Sequence, residues 1–235
     1  MKRDWRKAQD YEFTKDLTPE LWAWQFLRRN PEYKKDYDWF IAQWRALETD
    51  YGAAPNRDFS RWKLDPRAYA PDEITQGFCE DDKSCASPDG DKVMIECAMG
   101  AKWGFYKFPN SPEIEFPGVP DKLIWRELDV SVSTPHSKAQ THEMDLRFDL
   151  RLPLSKQLSS AKQKLVAAQR RFKQRGEGFN VMNLTGCIRL LDAGEDDDIL
   201  ETLYPGEAEN FESHRCQAEK ICNTDYRLLT VANIK

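Results

Sequence analysis

From Arg151 to Arg175 the chain carries eight Lys or Arg and no Asp or Glu, a balance unlike that on either side. Seven of the eight, Lys156, Lys162, Lys164, Arg170, Arg171, Lys173 and Arg175, could do one kind of chemistry. Cations without local counter-charge hold phosphates and displace the counterions condensed on them. The bland reading is a solvated helix whose cations balance acidic neighbours and, late in the helix, its own dipole. Other reactive residue types are sparse. Cys79 and Cys85 are separated by five residues with no His nearby, and Cys216 and Cys222 repeat that spacing on a predicted helix, so zinc is poorly matched. All six cysteines are read as mostly reduced thiols used in packing. His136 and His142 share the loop STPHSKAQTHE with no third ligand or positioned carboxylate, and no metal is assigned to them. Asp196, Asp197 and Asp198 stand at a predicted helix start, where favouring the dipole is sufficient reason for them. With no Ser-His-Asp pattern and no glycine-rich phosphate loop, the expectation is a non-enzyme without a cofactor.

The basic residues need a rod to carry them. Leu154, Leu158, Ala161, Leu165, Ala168 and Phe172 recur at steps of four and three, which predicts one amphipathic helix over 153–175. Pro153 suits its first turn, and Gly176 with Gly178 stops it. The cations cover most of the circumference outside that stripe. Before it, the period becomes extended. Segments 92–97 and 102–108 flank AMGA as a hairpin, and 122–133 and 143–152 read as two further strands. Phe105, Phe108, Ile124, Leu128, Val130, Leu146, Phe148 and Leu150 would form one apolar layer covered by the basic helix. After it, helices at 183–193, 196–203 and 208–229 are compatible with a helix-turn-helix. In that arrangement Arg215, Lys220 and Arg227 are secondary phosphate contacts, and Asn210, Ser213 and Gln217 choose sequence if the third helix enters a groove. That helix opens on Glu207, Glu209 and Glu212.

The first 62 residues hold six of the eight tryptophans. Thr18, Pro19 and Glu20 signal a helix start for 21–29, and Tyr33, Tyr37, Phe40, Trp44, Leu47 and Tyr51 predict a second helix over 31–51 with Gly52 as its stop. Helical spacing turns these rings inward, so a sugar- or cap-binding surface is not expected. Arg28, Arg29, Lys34 and Lys35 form a basic corner, read as a salt-laced surface because Glu32, Asp36 and Asp38 lie beside it. The predicted fold class is α+β: a Trp-rich helical module at 1–64, a linker at 65–91, a small antiparallel sheet with the long basic helix at 92–176, and a helix-turn-helix-like region at 177–235.

The net charge of −5 is unevenly spread: residues 1–75 sum to zero, 76–150 to −6, 151–176 to +8 and 177–235 to −7. Binding through general basicity is therefore excluded, and any polyanion contact is local. Hydrophobic residues at 40% and no apolar run near the roughly 20 residues of a span indicate a globular protein without a membrane partner. The opening MKRDWRKAQDYEF lacks a secretory signal's apolar core, which predicts a cytoplasmic location.

The stretch WRKAQDYEFTKDLTPELWAWQFLRRNPEYKKDYDWF resembles the small Trp-rich transcriptional regulator-like domain of proteobacterial proteins. DLRLPLSKQLSSAKQKLVAAQRRF, then CIRLLDAGEDDDILETLYPG and Tyr226-Arg227-Leu228-Leu229, is similar to the DNA-binding-like domain that often follows it. Together they resemble excision activators and related regulators of integrative and conjugative elements. The resemblance implies that residues 188–193, 199–204 and 214–220 lie on the three helices of a reader. It implies a DNA-binding transcriptional regulator of a mobile element, with double-stranded promoter or operator DNA as partner. The alternative it carries is a co-activator or anti-activator that binds another transcription regulator.

Overall fold

The computed structural model describes residues 3–71, 92–106, 108–118, 123–126, 144, 146, 148–151, 153–174, 179–206, 208–232 and 234, with the side chains of 171–174 set apart. Helix α1, Pro19–Leu27, begins where Thr18 caps it: Leu21 N–H donates to Thr18 Oγ1 at 3.4 Å. Its run from Trp22 to Leu27 is buried on every side, as a central helix must be. Helix α2, Pro31–Tyr51, starts on Asn30, whose Oδ1 accepts from Glu32 N at 2.8 Å and Tyr33 N at 3.0 Å. Gly52, at φ +84, closes it. Short helix α3, Phe59–Trp62, folds back so that Trp62 meets Trp44 edge-on at 4.8 Å.

The sheet expectation fails at α4, Ile95–Trp103, which occupies the predicted hairpin. All its residues except Lys102 are buried, so the helix has no polar face and its sequence shows no amphipathic period. AMGA is not a turn but lies within this helix, with Ala98, Met99, Gly100 and Ala101 all buried. The stop comes at Gly104, φ +87, where N–H bonds reach back to Ala101 and Gly100. Among the described residues no strand forms, only the isolated antiparallel bridges Tyr69 to Met94 and Phe105 to Trp125. Of the expected apolar layer, Phe105 is buried, stacked 4.5 Å from Trp125, while Phe108, Ile124 and Leu150 are exposed and Leu128 and Val130 lie outside the described residues. Among the described residues the architecture is helical, not α+β; most of the strand residues expected at 122–133 and 143–152 lie outside them.

The chain groups into two units, residues 1–128 with 181–233, and residues 129–180 with 234–235. In the first, α6 (Val181–Ala193) packs on α7 (Ile199–Leu203) and α8 (Phe211–Asn223), α8 also meets α1, and α2 packs on α3 and α4. α6 lies against α8 and against a 3₁₀ segment at Ala8–Asp16 that no periodicity in the sequence announces. The single helix expected at 208–229 is broken into a 3₁₀ turn at Ala208–Asn210, α8, and a 3₁₀ segment at Asp225–Val231. Thr224 makes the break: its hydroxyl bonds Lys220 O and Asp225 Oδ1, a local alternative to the helix ladder. The 3₁₀ segment at Asp225–Val231 lies along α1, and Tyr226 O–H donates to Trp103 O at 3.2 Å. The second unit contains α5, Leu154–Gln174. No helix among the described residues is long and apolar enough to cross a membrane.

Candidate nucleic-acid interface

The turn before α5 is held by side chains. Gln157 accepts from Asp149 N–H and donates to Asp149 O, both at 2.9 Å, which fixes the entry to the first helical turn. Arg151 lies on Asp149 through two bonds of 3.0 and 2.7 Å and holds that carboxyl below the usual range. One of the eight cations is thus neutralised at home.

Further along α5 the expected cations stand clear. Lys156, Lys162, Lys164 and Arg170 are exposed, and none makes an ion pair among the described residues. Lys156 and Arg170 are roughly 21 Å apart along the axis at 1.5 Å per residue. Arg171 and Lys173 lie on the helix, their side chains outside the described set, and Arg175 lies outside it altogether. The apolar stripe differs from expectation. Ala161 is buried, but Leu154, Leu158 and Leu165 are 49%, 57% and 45% exposed. Among the described residues the helix covers no sheet, and exposed cations and exposed leucines both line it.

The C-terminal candidates are placed otherwise. Asn210, Ser213 and Gln217 are exposed on or just before α8. Arg215 pairs with Glu219 at 3.4 Å and Glu195 at 3.8 Å, and Lys220 with Asp225 at 3.3 Å. Arg227 is folded over Gly104 so closely that a Cβ there would meet its Nε at 2.5 Å. These three cations are thus engaged with the protein itself. Inner-face residues Ala218, Ile221 and Cys222 of α8 are buried, and His214 stacks on Tyr204 at 4.6 Å.

The acids have structural roles too. Arg6 bonds Asp196 at 2.6 Å and Asp198 at 3.3 Å, so this cluster draws in the N-terminal segment as well as facing a helix start. Asp192, unremarked in the sequence, accepts two bonds from Arg29, at 2.8 and 2.9 Å, and one from Tyr11 O–H at 2.8 Å. Burial would raise its pKa, but those bonds and the Arg29 charge prevail and hold it below the usual carboxylate value. No local pattern could have paired residues 163 apart. Cys187 and Cys222 are free and buried, whereas Cys97 is disulfide-bonded, against the expectation of packing thiols. Cys79, Cys85, His136 and His142, for which no metal was expected, lie outside the described residues.

No curated protein and no solved structure matches the chain. Residues 4–65, which hold α1, α2 and α3, match the family of the proteobacterial transcriptional regulator-like domain, and the similarity supports a regulatory role for the chain.

Proposed function

We propose that this protein is a non-enzymatic bacterial transcription regulator that lies on double-stranded DNA through α5. One contrast carries the reading. Arg3, Arg6, Arg29, Arg57, Arg67 and Lys102 pair with carboxylates within the first unit, whereas Lys156, Lys162, Lys164 and Arg170 are exposed and unpaired among the described residues. Unneutralised cations at a spacing of several residues on a straight rod suit a phosphate backbone, which asks for charge and reach more than for shape. The engaged Arg215, Lys220 and Arg227 take no part in it. The resemblance to regulators of integrative and conjugative elements makes the promoters of such an element the DNA to test, with the cytoplasm as the site of action.

The test is the salt dependence of binding to that DNA. Each of Lys156, Lys162, Lys164 and Arg170 changed to Ala lowers the log–log slope by about 0.9 for every phosphate left without its cation. An unaltered slope in all four variants would end the DNA reading.

The open Leu154, Leu158 and Leu165 stripe favours a second reading, because phosphates have no use for it. Here α5 docks in the apolar groove of another transcription regulator, its cations meeting an acidic rim. Leu158→Gln with Leu165→Gln separates the two. DNA affinity unchanged by this pair supports the first reading; loss of a co-purifying regulator, with no DNA retained by the parent protein, supports the second.

A further inference from the structure

The first unit contains a cavity of about 450 Å³ whose wall is built largely of ions: Arg3, Arg28, Arg29 and Lys34 with Glu113, Glu115 and Asp192. That volume falls within the range of small-molecule sites. Two of the cations are committed. Arg3 Nε donates to Glu115 at 2.8 Å, and Arg29 forks onto Asp192. Asp36, two residues from Lys34, is taken by Lys102 at 2.6 Å and by Trp103 Nε1 at 2.9 Å. Arg28 and Lys34 are left over.

Arg28 is half-buried and positioned by a single bond, Nε to Pro112 O at 3.0 Å, so the outer edge of its guanidinium has no partner among the described residues. Lys34 is exposed and likewise makes no ion pair there. Burial, and then the charge of Arg29, lower the pKa of Arg28 against the opposing charges of Glu115, Asp192 and Glu113. Glu113 is the one wall acid that makes no ion pair among the described residues, and it is exposed. Two cations therefore face one carboxylate across a space large enough for a metabolite.

We propose that this cavity binds the oxyanion group of a small metabolite, phosphate or carboxylate, with the planar Arg28 fork taking two oxygens and Lys34 adding a second charge. Occupancy would tie Arg28, at the end of α1, to Lys34 on α2 through one ligand, making the site a place for an effector. The inference is independent of α5, none of whose cations line the cavity.

Calorimetric titration of the full chain with inorganic phosphate and, separately, succinate at constant ionic strength tests it. Saturable binding of either is expected, and the anion that saturates identifies the group. Lys34→Gln and Arg28→Gln each weaken it by about tenfold, the effect of losing one charge-assisted bond, while Glu113→Gln tightens it by removing a competing charge. Binding of neither anion overturns the proposal, as does affinity left unchanged by both Lys34→Gln and Glu113→Gln, two exposed changes that leave the core intact. A third overturning result is duplex DNA affinity that falls with Lys34→Gln while neither small anion binds. Failure here with an intact α5 salt dependence leaves the DNA reading standing.

Discussion

Asp192 ties together parts of the chain far apart in sequence. It joins the 3₁₀ segment at Ala8–Asp16, the end of α1 and α6 through bonds from Tyr11 and Arg29, whose side chain is only 9% exposed. Asp192→Asn removes the charge and leaves Arg29 without its partner, so unfolding free energy in urea should fall by about 2–4 kcal/mol. The acid limb should change as well. Because the folded pKa lies below the unfolded one, the carboxylate's contribution is complete at neutral pH and is lost as pH falls through the lowered value. The Asn variant should therefore show a flatter decline of stability below about pH 4. Cysteine reactivity offers a second measure at this scale. Burial pushes the Cys187 and Cys222 thiols up to about 11, while Cys216 is exposed. Alkylation of the native protein should label Cys216 ahead of Cys187 and Cys222, and peptide mass spectrometry showing the reverse order would contradict the packing of α6 and α8.

Among the elements, α2 is the most legible, its bounds of 31–51 set by Asn30, Pro31 and Gly52 and its buried face by one residue in three or four. Local caps and a single apolar face are written in local sequence. α4 is illegible because it is enclosed by its neighbours, and enclosure is a tertiary fact that leaves no polar side to mark the period. Alternating β-prone residues around it then resemble strands. For the candidate interface, the charge and helical spacing of Lys156, Lys162, Lys164 and Arg170 can be read directly, and so can the bounds of α5. Whether Arg215, Lys220 or Arg227 is free cannot, since Glu195 and Gly104 are brought to two of them only by folding. Asn30 tests the joint between elements. Beyond capping α2, its Nδ2 donates to Cys222 O at 3.0 Å and Asn223 Oδ1 at 3.3 Å at the end of α8. Asn30→Ala should cost about 1–2 kcal/mol from the cap alone and more from the unsatisfied Cys222 carbonyl. A loss confined to a few tenths would mean that the α2–α8 joint adds nothing to stability in solution.

For the whole molecule, sequence similarity and physical unit do not coincide. The matched segment at 4–65 contains α1, yet α1 is covered by α8 and by the 3₁₀ segment at Asp225–Val231, and Trp24 reaches Ile114 O at 2.9 Å. Residues 1–65 expressed alone should therefore expose Trp22, Trp24 and Phe26 and give weak near-ultraviolet dichroism, whereas the full chain gives sharp aromatic bands. A sharply folded, cooperatively melting 1–65 fragment would show that the later helices merely decorate it. The covering of α1 by residues near 230 also sets a clock. At bacterial rates of about 5–20 residues per second, an emerging chain waits roughly ten to forty seconds between making Trp22 and Trp24 and making the segment that shelters them. Throughout that interval the nascent polypeptide is a target for chaperones and proteases, so a message cut short yields debris instead of a half-active regulator.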